Sequence, residues 1–395
     1  MISFDEAVQR IRSAATPLGT EMVSIADAAR RVLAQPVIAQ IDSPRSNVSA
    51  MDGYAVRADD LRHCPVSLEI VGQSFAGGAW NGTVPPGSCA RIFTGAPVPD
   101  GADRVVIQEK VRTSGNFAII EEHAGAARYI RERGSDFAEG EELLPAGRLL
   151  DPRALVAAAG ADIAELEVYR RPRLHILSTG DELAEPGTAR ARSDPIPDSV
   201  SVGVAALAGQ WGADCIGRTR LRDALPAMED AAREAVGRAD LVVVTGGASV
   251  GEKDFAKAMF APLNLELVFS KVSIKPGKPV WLGRAGGKLV IGLPGNPTSA
   301  MVTARLLLAP LLAGLTGRAV AEALRWRTAP LASPLRPCGG RETFHRGRWS
   351  GSAVEVLSFQ DSSAQKALAN ADLLVRQQAG SPGLEPRAEV EVLEF

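Results

Sequence analysis

The chain has 395 residues, enough for two to four domains, with the ordinary globular balance of 46% hydrophobic and 23% charged residues. A formal net charge of −2 offers no global basic field for nucleic acid or an anionic membrane, so any anion site has to be local. Cys64, Cys89, Cys215 and Cys338 form no CxxC pair, and the four histidines show no ligand spacing. Both observations argue against a disulfide framework, a zinc centre or a histidine triad, and for a reducing, cytoplasmic setting.

The opening "MISFDEAVQRIRSAA" lacks a secretory pattern and predicts a helix, with Ser3 as N-cap and Glu6 three positions on. "SIADAARRVLAQPV" repeats that logic with Ser24 as cap. From Asp42 to Phe137, short β-like runs alternate with Gly/Pro turns, which predicts an inserted, mostly β domain. Two segments there, "SNVSAMDGYAV" and "FTGAPVPDGAD", are not ordinary strand material. "DPRALVAAAGAD" returns to a helix, capped by Asp151 with Pro152 at its first position, and is expected to pack near the first helices.

From Arg173 the pattern becomes strand, loop, helix, repeated, and predicts a three-layer α/β domain. A β-hairpin turning at Arg284–Gly287 follows, and then the apolar run Ala300–Leu315, which Arg305 and Pro310 interrupt. That run is too short to span a bilayer and reads as a buried helix. The last strands suggest a small β-barrel. The expected units are 1–41 with 138–170 as a discontinuous helical and extended domain, 42–137, 171–317 and 318–395.

Two buried strands of the α/β domain end in special loops, "STGDEL" and "TGGASVGEKD". Ligands collect at the carboxyl ends of strands in open α/β sheets, and glycine there lets backbone amides approach an oxyanion. Both loops also end in carboxylates: Asp181 and Glu182 in one, Glu252 and Asp254 in the other. "PGNPTSA" sets Asn296 as N-cap and Pro297 as first helical residue, so that Thr298 and Ser299 flank an anion-binding helix terminus. "KVSIKPGKP" adds Lys271, Lys275 and Lys278, compact point charges suited to an oxyanion. Carboxylates beside phosphate-binding loops point to Mg²⁺ and to nucleotide or phosphorylated-cofactor chemistry. The chain has neither GxxxxGK[ST] nor GxGxxG after a strand, which disfavours P-loop enzymes and dinucleotide oxidoreductases.

Seven segments in order, "SAMDGYAVRADD", "RIFTGAPVPDGADRVVIQEK", "RERGSDFAEGEELLPAG", "STGDEL", "TGGASVGEKDF", "IKPGKP" and "GLPGNPTSA", resemble the molybdopterin molybdenumtransferase family. These are the bacterial MoeA-type proteins related to the E domain of gephyrin. The resemblance implies an elongated four-domain subunit whose α/β domain is similar to molybdopterin adenylyltransferases. It implies a homodimer with the active cleft shared between subunits, possible contacts with that adenylyltransferase and with cofactor-accepting enzymes, and no nucleic-acid or membrane partner. The implied reaction inserts molybdate into adenylylated molybdopterin and releases AMP, with Mg²⁺ or a similar cation.

Carried over by matching position, the resemblance makes Asp52, Asp136, Glu182, Asp254, Lys271 and Lys275 the catalytic set, with Glu182 and Asp254 as metal ligands. Thr179, Gly180, Asp181, Gly246, Gly247, Ser249, Pro294, Gly295, Asn296 and Ser299 would cradle the pterin nucleotide. The chain departs from the family pattern at Val200, where Asn is common, and at Ala224, where a second acid often follows Asp223. The alternatives are a molybdopterin adenylyltransferase, for which a lone α/β domain would suffice, and a gephyrin-like scaffold, which would not need the lysines and carboxylates together.

Overall fold

The structure, a computed structural model, describes residues 1–123, 125–191, 194–246 and 255–395. Its centre is a six-stranded sheet built from β1 (Arg173–Thr179), β2 (Asp214–Leu221), β3 (Leu241–Thr245), β4 (Glu266–Phe269), β5 (Trp281–Ala285) and β6 (Lys288–Leu293). The strand order is β2-β1-β3-β6-β5-β4. The first four strands in that order run parallel, while β5 and β4 form an antiparallel edge. The β5–β6 hairpin turns through Gly286 and Gly287, both with positive φ, the conformation a two-residue turn of this kind requires.

Helices α1 (Ser199–Gln210), α2 (Leu225–Arg238) and α3 (Pro297–Leu315) cover both faces. Strand alternation divides the core between them: Val243 packs in one cluster with Val204 and Leu307, and Val242 and Val244 in the other with Met228 and Ala232. At 19 residues, α3 is longer than its apolar run implied, but 94% of its most apolar window is buried, so it is a core helix. A π-helical stretch, Ala304–Leu308, carries Arg305 into the interior, where it donates to the Ala323 carbonyl at 2.6 Å and the Glu394 carbonyl at 2.7 Å. Burial pushes the Arg305 guanidinium down to about 10.

The helix Phe4–Ala14 forms as expected, with the Ser3 hydroxyl accepting from the Glu6 amide at 3.1 Å. The Glu6 side chain pairs with Arg10 at 2.6 Å and leaves the capping box half made. Its buried face, Phe4, Ala7 and Ile11, joins the central core. The helix Pro152–Gly160 packs as expected near the second of the N-terminal segments, in a cluster with Ala28, Leu33 and Val168, and not against this first helix. Ser24 caps only the three-residue 3-10 turn Ile25–Asp27. Arg30, with φ +61°, then stops any helix, and Val32 and Leu33 bridge to Leu149 and Val168 instead.

The segment between residues 48 and 120 supplies a second six-stranded sheet, with Gly53–Val56 between Arg104–Ile107 and Ser88–Ile92. The C-terminal strands make a small barrel. Arg327–Pro330 pairs with Glu389–Glu394, and Ala353–Val356 with Glu342–Ser350. The Leu331–Val354 bridge, with the Ala332 amide donating to the Val354 carbonyl at 2.8 Å, closes the ring. Ile274–Lys275 pairs in parallel with Glu342–Thr343 and ties the lysine-bearing segment to that barrel.

Candidate active site

The chain leaves β1 through α1 to β2 on one side, then crosses through α2 to β3 on the other. That reversal opens a crevice between the carboxyl ends of β1 and β3. A cavity of about 570 Å³ lies there, and among its lining residues are Thr179, Gly180, Glu182, Gly246, Pro294, Gly295 and Asn296. Seven of the residues singled out in the sequence therefore meet in one place.

Its floor is closely packed backbone. Thr179 is 5% exposed, and its hydroxyl donates to the Thr245 carbonyl at 3.3 Å. A Cβ on Gly246 would stand 2.4 Å from the Thr179 carbonyl oxygen, and one on Gly295 would stand 3.2 Å from the Gly246 Cα. These glycines let three strand ends converge where a side chain would collide with the neighbouring backbone.

The loop after β1 is pinned on both sides. The Gly180 amide donates to the Leu221 carbonyl at 3.1 Å, and the Ile196 amide to the Glu182 carbonyl at 2.7 Å. Asp198, 3% exposed, caps α1 by accepting from the Ser201 amide at 3.1 Å and the Ser201 hydroxyl at 2.7 Å. Val200, also on the cavity lining, is 7% exposed and belongs to the central core. Asp181 turns to a neighbouring cavity of about 450 Å³, and its carboxylate accepts from the Asp223 amide at 3.2 Å.

At the start of α3, Asn296 occupies the N-cap position without capping through its side chain. Its amide group donates to the Ser362 hydroxyl at 2.9 Å, and the Thr298 amide donates to the Ser362 carbonyl at 3.0 Å. The expected anion terminus is thus partly taken up by the C-terminal barrel. Thr298 is fully buried and Ser299 is 5% exposed; neither lines the cavity, because both face into the helix packing.

Sequence reasoning missed this wall. Ser363 and Gln365 line the cavity, and their loop is held by Arg346, 1% exposed, which donates to the Asp361 carbonyl at 2.9 Å and the Phe359 carbonyl at 3.3 Å. A charged residue inside an alternating strand pattern was the available signal.

Lys271 and Lys275 are exposed, while Val272 and Ile274 between them are fully buried, and the chain bends at Ser273, where the Ile274 amide donates back to the Val272 carbonyl at 2.9 Å. The segment is held by the Ile2 amide, which donates to the Lys271 carbonyl at 3.2 Å, and by pairing of Lys275 with Thr343. Neither lysine lines the 570 Å³ cavity, although Pro279 at the end of the same element does.

Asp52 immediately precedes the strand Gly53–Val56 and accepts from the Thr94 amide at 2.7 Å and the Thr94 hydroxyl at 2.8 Å. Those two bonds, with the nearby Arg91 charge, hold its carboxyl below the usual range against a smaller effect of burial. Arg91 lies 4.9 Å from the Tyr54 ring centre and 4.8 Å from that of Phe93. Asp136 is exposed, with its amide donating to the Ser43 carbonyl at 2.9 Å. Neither Asp52 nor Asp136 lines this cavity. Gly247, Ser249, Glu252 and Asp254 lie outside the described residues.

Among the described residues, no group of three His, Cys, Asp or Glu could by itself hold a metal ion. Glu182 and Asp223 do share the cavity lining. That donor set suits a hard cation that takes one or two carboxylates and completes its shell with waters and substrate phosphates.

Three family profiles cover the chain: the MoeA N-terminal region (domain I and II) at residues 2–161, a probable molybdopterin binding domain at 175–314, and the MoeA C-terminal region (domain IV) at 328–395. The chain is 35% identical over 395 residues to a molybdopterin molybdenumtransferase of Haemophilus influenzae, covering 96% of each protein. It is 36% identical over 313 residues to one of Nostoc sp., covering 76% of this chain and 70% of that protein. A crystal structure of a molybdopterin biosynthesis moeA protein from Pyrococcus horikoshii superposes with a TM-score of 0.84 at 28% identity, over 100% of this chain and 99% of the other. The motif resemblance and the multidomain α/β plus β architecture both hold, and the protein belongs to the molybdopterin molybdenumtransferase family, as a transferase.

Proposed function

We propose that this transferase acts in molybdenum cofactor biosynthesis, inserting molybdate into adenylylated molybdopterin and releasing AMP as water adds across the pyrophosphate bond. The observation that carries this reading is the crevice itself: glycine-rich backbone at three converging strand ends, with Glu182 on its wall. Such a site suits a pterin nucleotide whose phosphates need donors and a cation. Gly246, Gly247, Pro294, Gly295 and Asn296 would receive the nucleotide, with Thr179, Gly180, Asp181, Ser249 and Ser299 supporting them. Glu182 and Asp254 would hold Mg²⁺, which when bound neutralises charge on the pyrophosphate. Lys271 and Lys275 would hold molybdate as point charges.

Asp52 and Asp136 do not line the crevice of their own subunit. In this reading each completes the crevice of a second copy, so the working unit is a homodimer in the cytoplasm with four-domain subunits, divided as the chain pattern suggests. Substrate would come from a molybdopterin adenylyltransferase and product would go to cofactor-accepting enzymes.

The test offers the purified protein two substrate pairs. Turnover of adenylylated molybdopterin with molybdate and Mg²⁺ supports the reading. Adenylyl transfer from ATP to molybdopterin, without the first activity, would make it an adenylyltransferase. Neither activity would leave the scaffold.

A further inference from the structure

Arg30, Arg31, Arg170, Arg171 and Arg318 line one cavity of about 30 Å³, together with Trp211. None of its lining residues lines the crevice at the strand ends. The arginines come from stretches far apart in the chain, so folding gathers five positive charges at one point.

Carboxylates answer three of them. Glu21 pairs with Arg31, Asp214 lies 3.3 Å from Arg171, and Glu322 lies 3.2 Å from Arg318. Arg30 donates to the Gln210 carbonyl at 2.8 Å and Arg170 to the Leu18 carbonyl at 3.3 Å. Among the described residues, neither of these two has a carboxylate within salt-bridge reach. Helix α1 ends at Gln210 and α3 at Leu315, and their carboxyl termini contribute about half a negative charge each. An excess of roughly one positive charge remains.

The surroundings raise the value of that excess. Arg31 is only 8% exposed, and Arg318 lies 4.5 Å from the Trp211 ring centre, so water screens them weakly. Arg30 has φ +61°, a backbone conformation that suits glycine and strains an arginine.

We propose that the cavity binds a small inorganic oxyanion, held by the forked N–H groups of Arg30, Arg31, Arg170 and Arg318. Its volume is about twice what one water needs, which admits a tetrahedral oxyanion and excludes a nucleotide. Phosphate or sulfate of the surrounding solution and molybdate share this chemistry.

The test measures Tm of the full chain in sodium chloride and, at equal ionic strength, in sulfate, phosphate or molybdate. Each oxyanion should raise Tm by about 2 °C at ten times its Kd. Arg30→Gly should melt no lower than the wild type in chloride, because glycine relieves the backbone, and should lose the oxyanion rise. Arg170→Ala should lose it too, as a second variant with no backbone change. A rise in all three anions, abolished by the variants, supports a general oxyanion site. A rise in molybdate alone, abolished by the variants, supports the site and assigns molybdate as its occupant. No rise above chloride, or a rise unchanged in both variants, would overturn the proposal.

Discussion

Gly180 leaves open the volume that the Glu182 carboxylate overhangs: a Cβ on Gly180 would stand 2.6 Å from both carboxylate oxygens of Glu182. Gly180 also has φ +147°, which L side chains rarely adopt. Gly180→Ala should therefore displace the carboxylate from the crevice wall and strain the loop by about 1 kcal/mol. Turnover should fall by about 10- to 100-fold with a weaker apparent Mg²⁺ affinity, while Tm drops by only a few degrees. Steady-state kinetics across a Mg²⁺ titration would check this. An unchanged Mg²⁺ dependence would remove Glu182 from the cation site.

The exposed lysines should behave differently from their neighbour. Lys271→Ala and Lys275→Ala should each lower molybdate-dependent turnover by about 100-fold or more, the usual cost of removing one preorganised charge donor. Tm and dimerisation should hold, since all three lysines of this segment are exposed. Lys278→Ala should stay within a few-fold of the wild type. Equal losses at all three positions would point to a diffuse electrostatic effect.

Thr94 stabilises the ionised form of Asp52. The Asp52 carboxyl lies below the usual range because the Thr94 amide and hydroxyl donate to it, so it stays ionised throughout the neutral and mildly acidic range. Thr94→Val removes the hydroxyl bond and should move the Asp52 titration upward, toward the ordinary carboxylate value. A carboxyl-carbon NMR titration would follow it directly. No movement would mean that the amide alone is responsible.

Asp240 ties the three site-bearing strands together below the crevice. It accepts from the Arg173 amide at 3.0 Å and pairs with Lys288 at 3.5 Å, while its side chain is 4% exposed. Burial pushes its carboxyl up, but the Arg173 bonds and the two cationic neighbours outweigh burial and hold it below the usual range. A depressed folded pKa stabilises above the unfolded value of about 4 and loses that contribution as pH falls through the folded value. Asp240→Asn should cost about 1–2 kcal/mol at pH 7, with the gap to wild type narrowing in acid. Urea unfolding at pH 7 and pH 3 gives both numbers.

Much of this molecule was legible in its residues, and the limits have physical causes. The parallel strands were plain because Leu241–Thr245 and Lys288–Leu293 are apolar runs buried on both faces. The "STGDEL" loop and the Pro-Gly-Asn-Pro element were found because glycine, proline and capping residues carry local backbone rules. What no local rule carries is a tertiary partner. Asn296 has the residue type of a cap, yet its side chain goes to Ser362, 66 positions away. Arg305 read as an interruption of an apolar helix and proves to be its tie to Ala323 and Glu394. Ser24 has the signature of a helix start, but the left-handed Arg30 and the bridges to Leu149 and Val168 claim the chain after one turn.

The central claim, an oxyanion-driven release of nucleotide from this crevice, is tested most directly by AMP release from adenylylated molybdopterin in Mg²⁺, measured with and without molybdate. The account predicts AMP in a one-to-one ratio with molybdenum inserted, and loss of both in Glu182→Gln and Lys275→Ala. AMP release at the same rate without molybdate, or in both variants at the wild-type rate, would contradict it.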